Sequence, residues 1–138
     1  MESIAFGALY DLLMEVQDEL AIGLSRPLSS GIEATFVLYP PGGYYKRHMD
    51  SIQGVDEAGS GRRAVSFLCY LTDPAVEWSR AAGGALRIFD DAKGTHDDLL
   101  PTSGSLVLFD SKRVWHEVRP THRERAALVG WYRNEYNL

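Results

Sequence analysis

Cysteine is almost missing from this chain. Cys69 stands alone, which excludes an internal disulfide framework and a zinc site built from four thiolates. A reducing cytoplasm is the expected setting. Long apolar runs are missing too. The longest uncharged stretch near the start, Ile4–Tyr10, is far too short to cross a bilayer. No basic segment followed by an apolar run and a small-residue cleavage site occurs, so no secretory signal is expected. Positive charge is in deficit: 14 Lys and Arg stand against 19 Asp and Glu, a net charge of −5. That balance argues against a phosphate backbone, such as a nucleic acid's, as main partner; no membrane partner is expected either. No internal repeat and no low-complexity tract is present. What remains is an ordinary globular composition, 45% hydrophobic and 24% charged over 138 residues. It predicts a single domain spanning 1–138 with a substantial core.

The hydrophobic pattern changes period once. From Met1 to about Gly23, the residues Ile4, Leu9, Leu12, Leu13, Val16 and Leu20 recur at helical spacing. Glu15, Asp18 and Glu19 fall on the other side. Gly23 is a stop signal, and Arg26-Pro27 opens a connector. Residues 1–30 therefore read as helical support. Beyond them come short runs rich in β-branched and aromatic residues: Ala34–Tyr39, Tyr44–Asp50, Ala64–Thr72, Ala85–Phe89, Ser105–Phe109, Val114–Val118 and Ala126–Arg133. Between them lie Pro40-Pro41-Gly42-Gly43, the polar Ser51–Gly61, Asp73–Gly84, Asp90–Thr95 and Pro101-Thr102-Ser103-Gly104. Seven strands with turn punctuation predict a mainly β protein, a sandwich or jelly roll. Gly54–Gly61 is expected to be a mobile loop. The acids Asp90, Asp91, Asp97 and Asp98 around His96 fit no calcium-loop spacing and read as a solvated turn. Cys69, within an apolar run, reads as packing.

The four histidines are His48, His96, His116 and His122. His48 stands in Lys46-Arg47-His48-Met49-Asp50. On a strand, positions i and i+2 face the same way, so His48 and Asp50 would present an imidazole and a carboxylate side by side. His116 lies far along the chain in Val114-Trp115-His116-Glu117-Val118. Two histidines and one carboxylate can cap one face of an octahedral ferrous ion and leave three positions open. Neither a lone histidine nor a lone His-x-Asp is informative alone. Arg125 adds weight. It opens Arg125-Ala126-Ala127-Leu128-Val129-Gly130-Trp131-Tyr132, where alternation puts Arg125, Ala127, Val129 and Trp131 on one face. A guanidinium at the mouth of an apolar face suits a carboxylate, which its fork can grip bidentately. The bland alternative is a surface arginine paired with Glu117 or Glu124. Arg119 and Arg123 are rival candidates for the same role.

Taken in order, five strings resemble one family. They are Tyr39-Pro40-Pro41-Gly42, Tyr45-Lys46-Arg47-His48-Met49-Asp50, Cys69-Tyr70-Leu71-Thr72, Gly83-Gly84-Ala85-Leu86-Arg87-Ile88-Phe89 and His116-Glu117-Val118-Arg119-Pro120, continuing into Arg125-Ala126 and Trp131-Tyr132. The set resembles the 2-oxoglutarate- and Fe(II)-dependent prolyl 4-hydroxylases, most closely the hypoxia-inducible-factor prolyl hydroxylase branch and its bacterial relatives.

The resemblance implies a double-stranded β-helix over residues 34–133, with the N-terminal helix packed on its major sheet. It implies that His48, Asp50 and His116 hold Fe(II) and that Arg125 grips the far carboxylate of the cosubstrate 2-oxoglutarate. By the same token Tyr39 and Tyr70 line the cosubstrate pocket, and Leu86, Val118 and Trp131 wall it. Tyr45 lies near the metal on the substrate side. O2 is the second cosubstrate and ascorbate the expected reductant. The implied reaction hydroxylates a prolyl residue of a peptide or protein and yields succinate and CO2. Two other readings stay open: a hydroxylase of a free amino acid or small metabolite on the same fold, and a non-catalytic cupin-like binding module. The short segment before the first core strand leaves a monomer and a homodimer as alternatives. Ser51–Gly61 carries no substrate signature.

Overall fold

The computed structural model describes residues 4–51 and 62–135. The expected mobile loop Gly54–Gly61 lies outside them. The first element is helix α1, Ile4–Gly23. Its buried stripe is narrower than the sequence pattern suggested. Leu13 is buried, and Leu9, Val16 and Leu20 pack beside it against Val65, Phe67 and Tyr132. Ile4 and Leu12 do not join this stripe; both are exposed. At 3.6 residues per turn, Ile4 points away from the line through Leu9, Leu13, Val16 and Leu20, and Leu12 sits on its border. Two hydrogen bonds tie α1 down, the first of them buried. The Tyr132 hydroxyl donates to Leu13 O at 2.8 Å, and Gln17 Nε2 donates to Ser29 O at 2.6 Å.

Among the described residues eight strands follow: β1 Leu28–Tyr39, β2 Tyr45–His48, β3 Arg63–Tyr70, β4 Leu86–Asp90, β5 Thr95–Leu99, β6 Leu106–Asp110, β7 His116–Val118 and β8 Arg125–Asn134. They form two antiparallel four-stranded sheets, ordered β1-β8-β3-β6 and β2-β7-β4-β5. This is the jelly-roll arrangement expected, with the helix on the outer face of the first sheet. The central strand β3 is covered on both faces, by α1 outside and by the second sheet inside. It is buried from Ala64 to Tyr70 and correspondingly reads as an apolar run rather than an alternation. At Gly130, opposite Phe67, an added Cβ would stand 2.3 Å from Phe67 Cζ. Only glycine lets that ring lie across the strand.

Two expectations need correction. First, β1 begins at Leu28, six residues before the predicted start, so residues 28–30 are strand rather than helical support. An irregularity in its pairing with β8 between Leu28 and Ile32 breaks the alternation there and hid it. Second, the acidic cluster is not one solvated turn. Asp97 and Asp98 belong to β5, an edge strand whose composition Thr-His-Asp-Asp-Leu has little intrinsic strand preference. Pairing with β4 forms it: Arg87 donates to both carboxylate oxygens of Asp98 at 2.7 and 2.8 Å. Charge on an outer strand also discourages unwanted pairing with another chain. No helix among the described residues is long and apolar enough to cross a membrane.

Candidate active site

The two sheets face each other across a cavity of about 380 Å³. At one end, β2 and β7 pair so that His48 and His116 are direct cross-strand partners. Their rings lie 4.2 Å apart. Asp50 does not lie on the strand, which stops at His48. It curls back two residues on, and its Oδ1 stands 3.2 Å from His48 Nε2 and 3.4 Å from His116 Nε2.

Both imidazoles are oriented from behind. His48 Nδ1 is 2.7 Å from Lys46 O, and His116 Nδ1 is 3.1 Å from Val114 O. A carbonyl can only accept, so each Nδ1 carries the proton and each Nε2 is directed inward as a potential ligand. The far oxygen of Asp50 is occupied. Ser66 Oγ donates to Oδ2 at 2.6 Å and Trp131 Nε1 donates to it at 3.0 Å. Oδ1 alone faces the histidines. Burial would raise the Asp50 carboxyl pKa. Hydrogen bonds from His116, His48 and Ser66 outweigh burial and hold it well below the usual carboxylate range. His48 shows the reciprocal effect: burial works against its charge, yet Asp50 and the Lys46 carbonyl raise its pKa above 6.5.

The three ligand atoms lie within 4.8 Å of one another. Two inward imidazole nitrogens and one carboxylate oxygen, with the remaining directions opening on a cavity, are the donor set that suits a ferrous centre with free positions. The outer hydrogen bonds to all three residues are of the kind that fix metal ligands. The residues present therefore fit the metal that the sequence pattern implied.

Arg125 marks the other end of the same cavity. Its side chain is fully buried. Nε donates to Gly84 O at 2.8 Å, and Nη2 makes a longer contact, 3.4 Å, to the Tyr70 hydroxyl. The rings of Tyr39 and Tyr70 flank the guanidinium at 5.4 and 5.1 Å. Among the described residues no carboxylate pairs with it, so the surface pairing with Glu117 or Glu124 does not occur. Arg119 bonds Glu117 instead, and Arg123 stacks over Trp78. Burial lowers the Arg125 pKa, partly offset by Tyr70 and Tyr39. Burial also raises both phenols, so each keeps the proton it could donate to an anion. The approach of Gly84 is essential. Its φ is +71°, and a Cβ there would meet Thr121 Oγ1 at 3.0 Å and Arg125 Cδ at 3.2 Å.

Of the remaining candidates, Tyr39 and Tyr45 border the cavity, whereas Tyr70, expected to line it, lies behind its wall and reaches it through the contact with Arg125. Leu86, Val118 and Trp131 line the cavity. Tyr70 packs with Leu68, Leu86, Val118 and Ala127. Tyr45 is half exposed at the rim, its ring 4.3 Å from that of His48. Sequence reasoning missed Ser66, Ser111 and Arg63. Arg63 lies over the Trp131 ring at 3.6 Å, pairs with Glu33, and donates to Asp50 O at 3.3 Å. A usable signal existed for Ser66. It is the one aliphatic hydroxyl inside the apolar run Ala64–Tyr70, in phase with Leu68 and Tyr70.

A two-histidine, one-carboxylate cluster at one end of the cavity and, at the other, a buried guanidinium with no carboxylate partner among the described residues would suit a ferrous ion and an anionic cosubstrate. The family model for the 2OG-Fe(II) oxygenase superfamily matches residues 34–133, and the chain belongs to that superfamily. Among solved structures it is similar to a Pseudomonas putida prolyl-4-hydroxylase, with a TM-score of 0.84 and 36% identity over 97% of this chain and 69% of that one. It is also similar to a Trichoplax adhaerens prolyl hydroxylase in complex with a hypoxia-inducible-factor peptide fragment. There the TM-score is 0.68 and the identity 27%, over 91% of this chain and 56% of that one. Among curated proteins it is 33% identical to Egl nine homolog 1 of Rattus norvegicus over 129 residues. That match takes in 88% of this chain, which spans about a third (36%) of the relative's length.

Proposed function

We propose that the protein is a 2-oxoglutarate- and Fe(II)-dependent dioxygenase that hydroxylates a prolyl residue of a peptide or protein, releasing succinate and CO2. The observation that carries this reading is the pairing of the His48–Asp50–His116 cluster with the buried Arg125 inside one cavity. The similarity to the Pseudomonas putida and Trichoplax adhaerens prolyl hydroxylases supports the choice of substrate.

In this reading His48 Nε2, Asp50 Oδ1 and His116 Nε2 hold the iron. When bound, the metal supplies oxygen activation coupled to oxidative decarboxylation of the 2-oxo acid. The chain supplies binding, orientation and exclusion of water. Arg125 grips the distal carboxylate of 2-oxoglutarate, with the protonated hydroxyls of Tyr70 and Tyr39 as further donors. Leu86, Val118 and Trp131 shield the cosubstrate's methylenes from water. Tyr45, at the rim beside His48, meets the substrate. Ascorbate as reductant, a cytoplasmic setting, one domain over 1–138 and a monomer or homodimer without nucleic acid complete the proposal. The lone thiol and the net negative charge support the compartment and the exclusion of nucleic acid.

The test is to incubate the protein with Fe(II), ascorbate and 2-oxoglutarate alongside proline-containing peptides, free proline or a methylated oligonucleotide. Succinate is expected only with peptide, and mass spectrometry should find one added oxygen on proline. His48→Ala and Asp50→Ala should abolish both signals. Turnover coupled to free proline or to the oligonucleotide instead would replace the substrate assignment. No succinate under any condition would favour a non-catalytic binding module.

A further inference from the structure

Ser66 and Ser111 are fully buried behind the metal cluster. Ser66 Oγ lies 2.6 Å from Asp50 Oδ2 and 2.8 Å from Ser111 Oγ. Each hydroxyl has one proton to give. An ionised carboxylate can only accept, so the Ser66 proton goes to Asp50. The contact between the serines must then use the proton of Ser111. The chain has a single direction: Ser111 donates to Ser66, and Ser66 donates to Asp50.

Ser111 is well placed to anchor it. Its N–H donates to Ala64 O at 3.0 Å, and its carbonyl accepts from Ser51 N at 3.0 Å. Ala64 is two residues before Ser66, and Ser51 directly follows Asp50. Ser111 is thus held at once by the strand that carries the relay and by the segment that carries the ligand. With Trp131 Nε1 as second donor, Oδ2 is fastened away from the histidines.

We propose that Ser111 is a positioning residue acting through Ser66, and that the pair confines Asp50 to binding the metal through Oδ1 alone. This rests on the reading of His48, Asp50 and His116 as ligands. A carboxylate free to turn can offer both oxygens and would then fill a coordination position needed by the cosubstrates. Donors already bound to Oδ2 oppose that turn, and a second serine makes the first a better-directed donor.

Co(II) alone is a suitable probe, because its d–d absorption reports coordination number without turnover. Ser66→Ala should weaken Co(II) binding about 10- to 100-fold and change the d–d spectrum. Ser111→Ala should act in the same direction, more weakly. In the double variant Ser111→Ala should add nothing, because the residue through which it acts is gone. Equal effects of Ser111→Ala in both backgrounds would overturn the relay and show a packing role. Wild-type affinity and spectrum in both single variants, with binding lost in Asp50→Ala, would also sink it while sparing the ligand assignment. Co(II) binding equally tight in wild type and Asp50→Ala would remove the ligand assignment and the relay together. Should Ser66→Ala fail to fold, Ser111→Ala decides alone: an unaltered affinity and spectrum refutes the proposal.

Discussion

Replacing Arg125 by methionine separates the two ends of the cavity. The side chain is fully buried, and its guanidinium touches Gly84 O, the Tyr70 hydroxyl and two tyrosine rings, but no carboxylate among the described residues. Its two hydrogen bonds use two of the fork's five N–H groups. A buried, paired carboxylate deprived of its cation loses about 3–5 kcal/mol. At about 1.4 kcal/mol per tenfold, 2-oxoglutarate affinity should fall roughly 10²- to 10⁴-fold. Stability should respond differently. The variant leaves the Gly84 carbonyl without its donor, which costs about 1–3 kcal/mol. It also removes a desolvated cation, which acts in the opposite sense. The melting temperature of the metal-free protein should therefore change little. Calorimetric titration of the Zn(II)-loaded protein with 2-oxoglutarate measures the first quantity, and titration of metal-free protein with Zn(II) controls for the other end. Arg125→Lys, which keeps the charge but not the fork, should fall between wild type and Arg125→Met. A parallel loss of metal and 2-oxoglutarate binding, or undiminished 2-oxoglutarate binding, would refute the assignment.

Two further predictions concern pH and stability. The pKa of His48 is raised above 6.5, so its contribution to the metal-free fold is complete below that value and is lost as pH rises through the raised pKa. A metal needs the same nitrogen unprotonated, so metal affinity should climb across that window. Melting temperatures with and without Zn(II) should diverge as pH rises from about 6 to 8, and parallel curves would contradict this. The Tyr132 phenol is pushed from 10.0 up to about 12 by burial. Its stabilising contribution is present below pH 10 and disappears as pH rises through the raised value. Tyr132→Phe should lower stability by about 1 kcal/mol, through loss of the bond to Leu13 O, and abolish that alkaline decline in denaturant titrations.

The site was more legible than the fold's edges, for physical reasons. His116 shares its phase with Val114 and Val118, and Arg125 shares its phase with Ala127, Val129 and Trp131, so each is a polar residue among apolar ones and that conflict shows in a sequence; His48 and Asp50 stand among polar residues and were legible from their spacing. Parity was only a partial guide. It paired His48 with Asp50 as if both lay on β2, yet Asp50 reaches the histidines from beyond the strand end. The edge strand β5 was invisible because its pairing with Arg87, not its own composition, makes it a strand. The start of β1 was hidden by an irregular pairing that breaks the period. Ser66 and Ser111 escaped because small hydroxyl residues read as turn or filler until their partner is known.

The cavity is polarised before any ligand arrives, and its two ends manage this differently. At the metal end the Asp50 charge is already matched, because Ser66 and Trp131 hold one oxygen and two imidazoles face the other. A proton on His48 can stand in for the metal there. At the far end nothing of opposite charge stands in among the described residues. Arg125 is eased there by a carbonyl, a phenol and two aromatic faces, contacts worth much less than an ion pair. Protons therefore compete with the metal at one end, whereas at the other the resident cation gains its full partner only when an anion binds. A molecule that carries a metal-chelating group at one end and a carboxylate at the other satisfies both requirements at once. A chelator lacking the distal carboxylate leaves the guanidinium as it was, and its affinity should not respond to Arg125→Met.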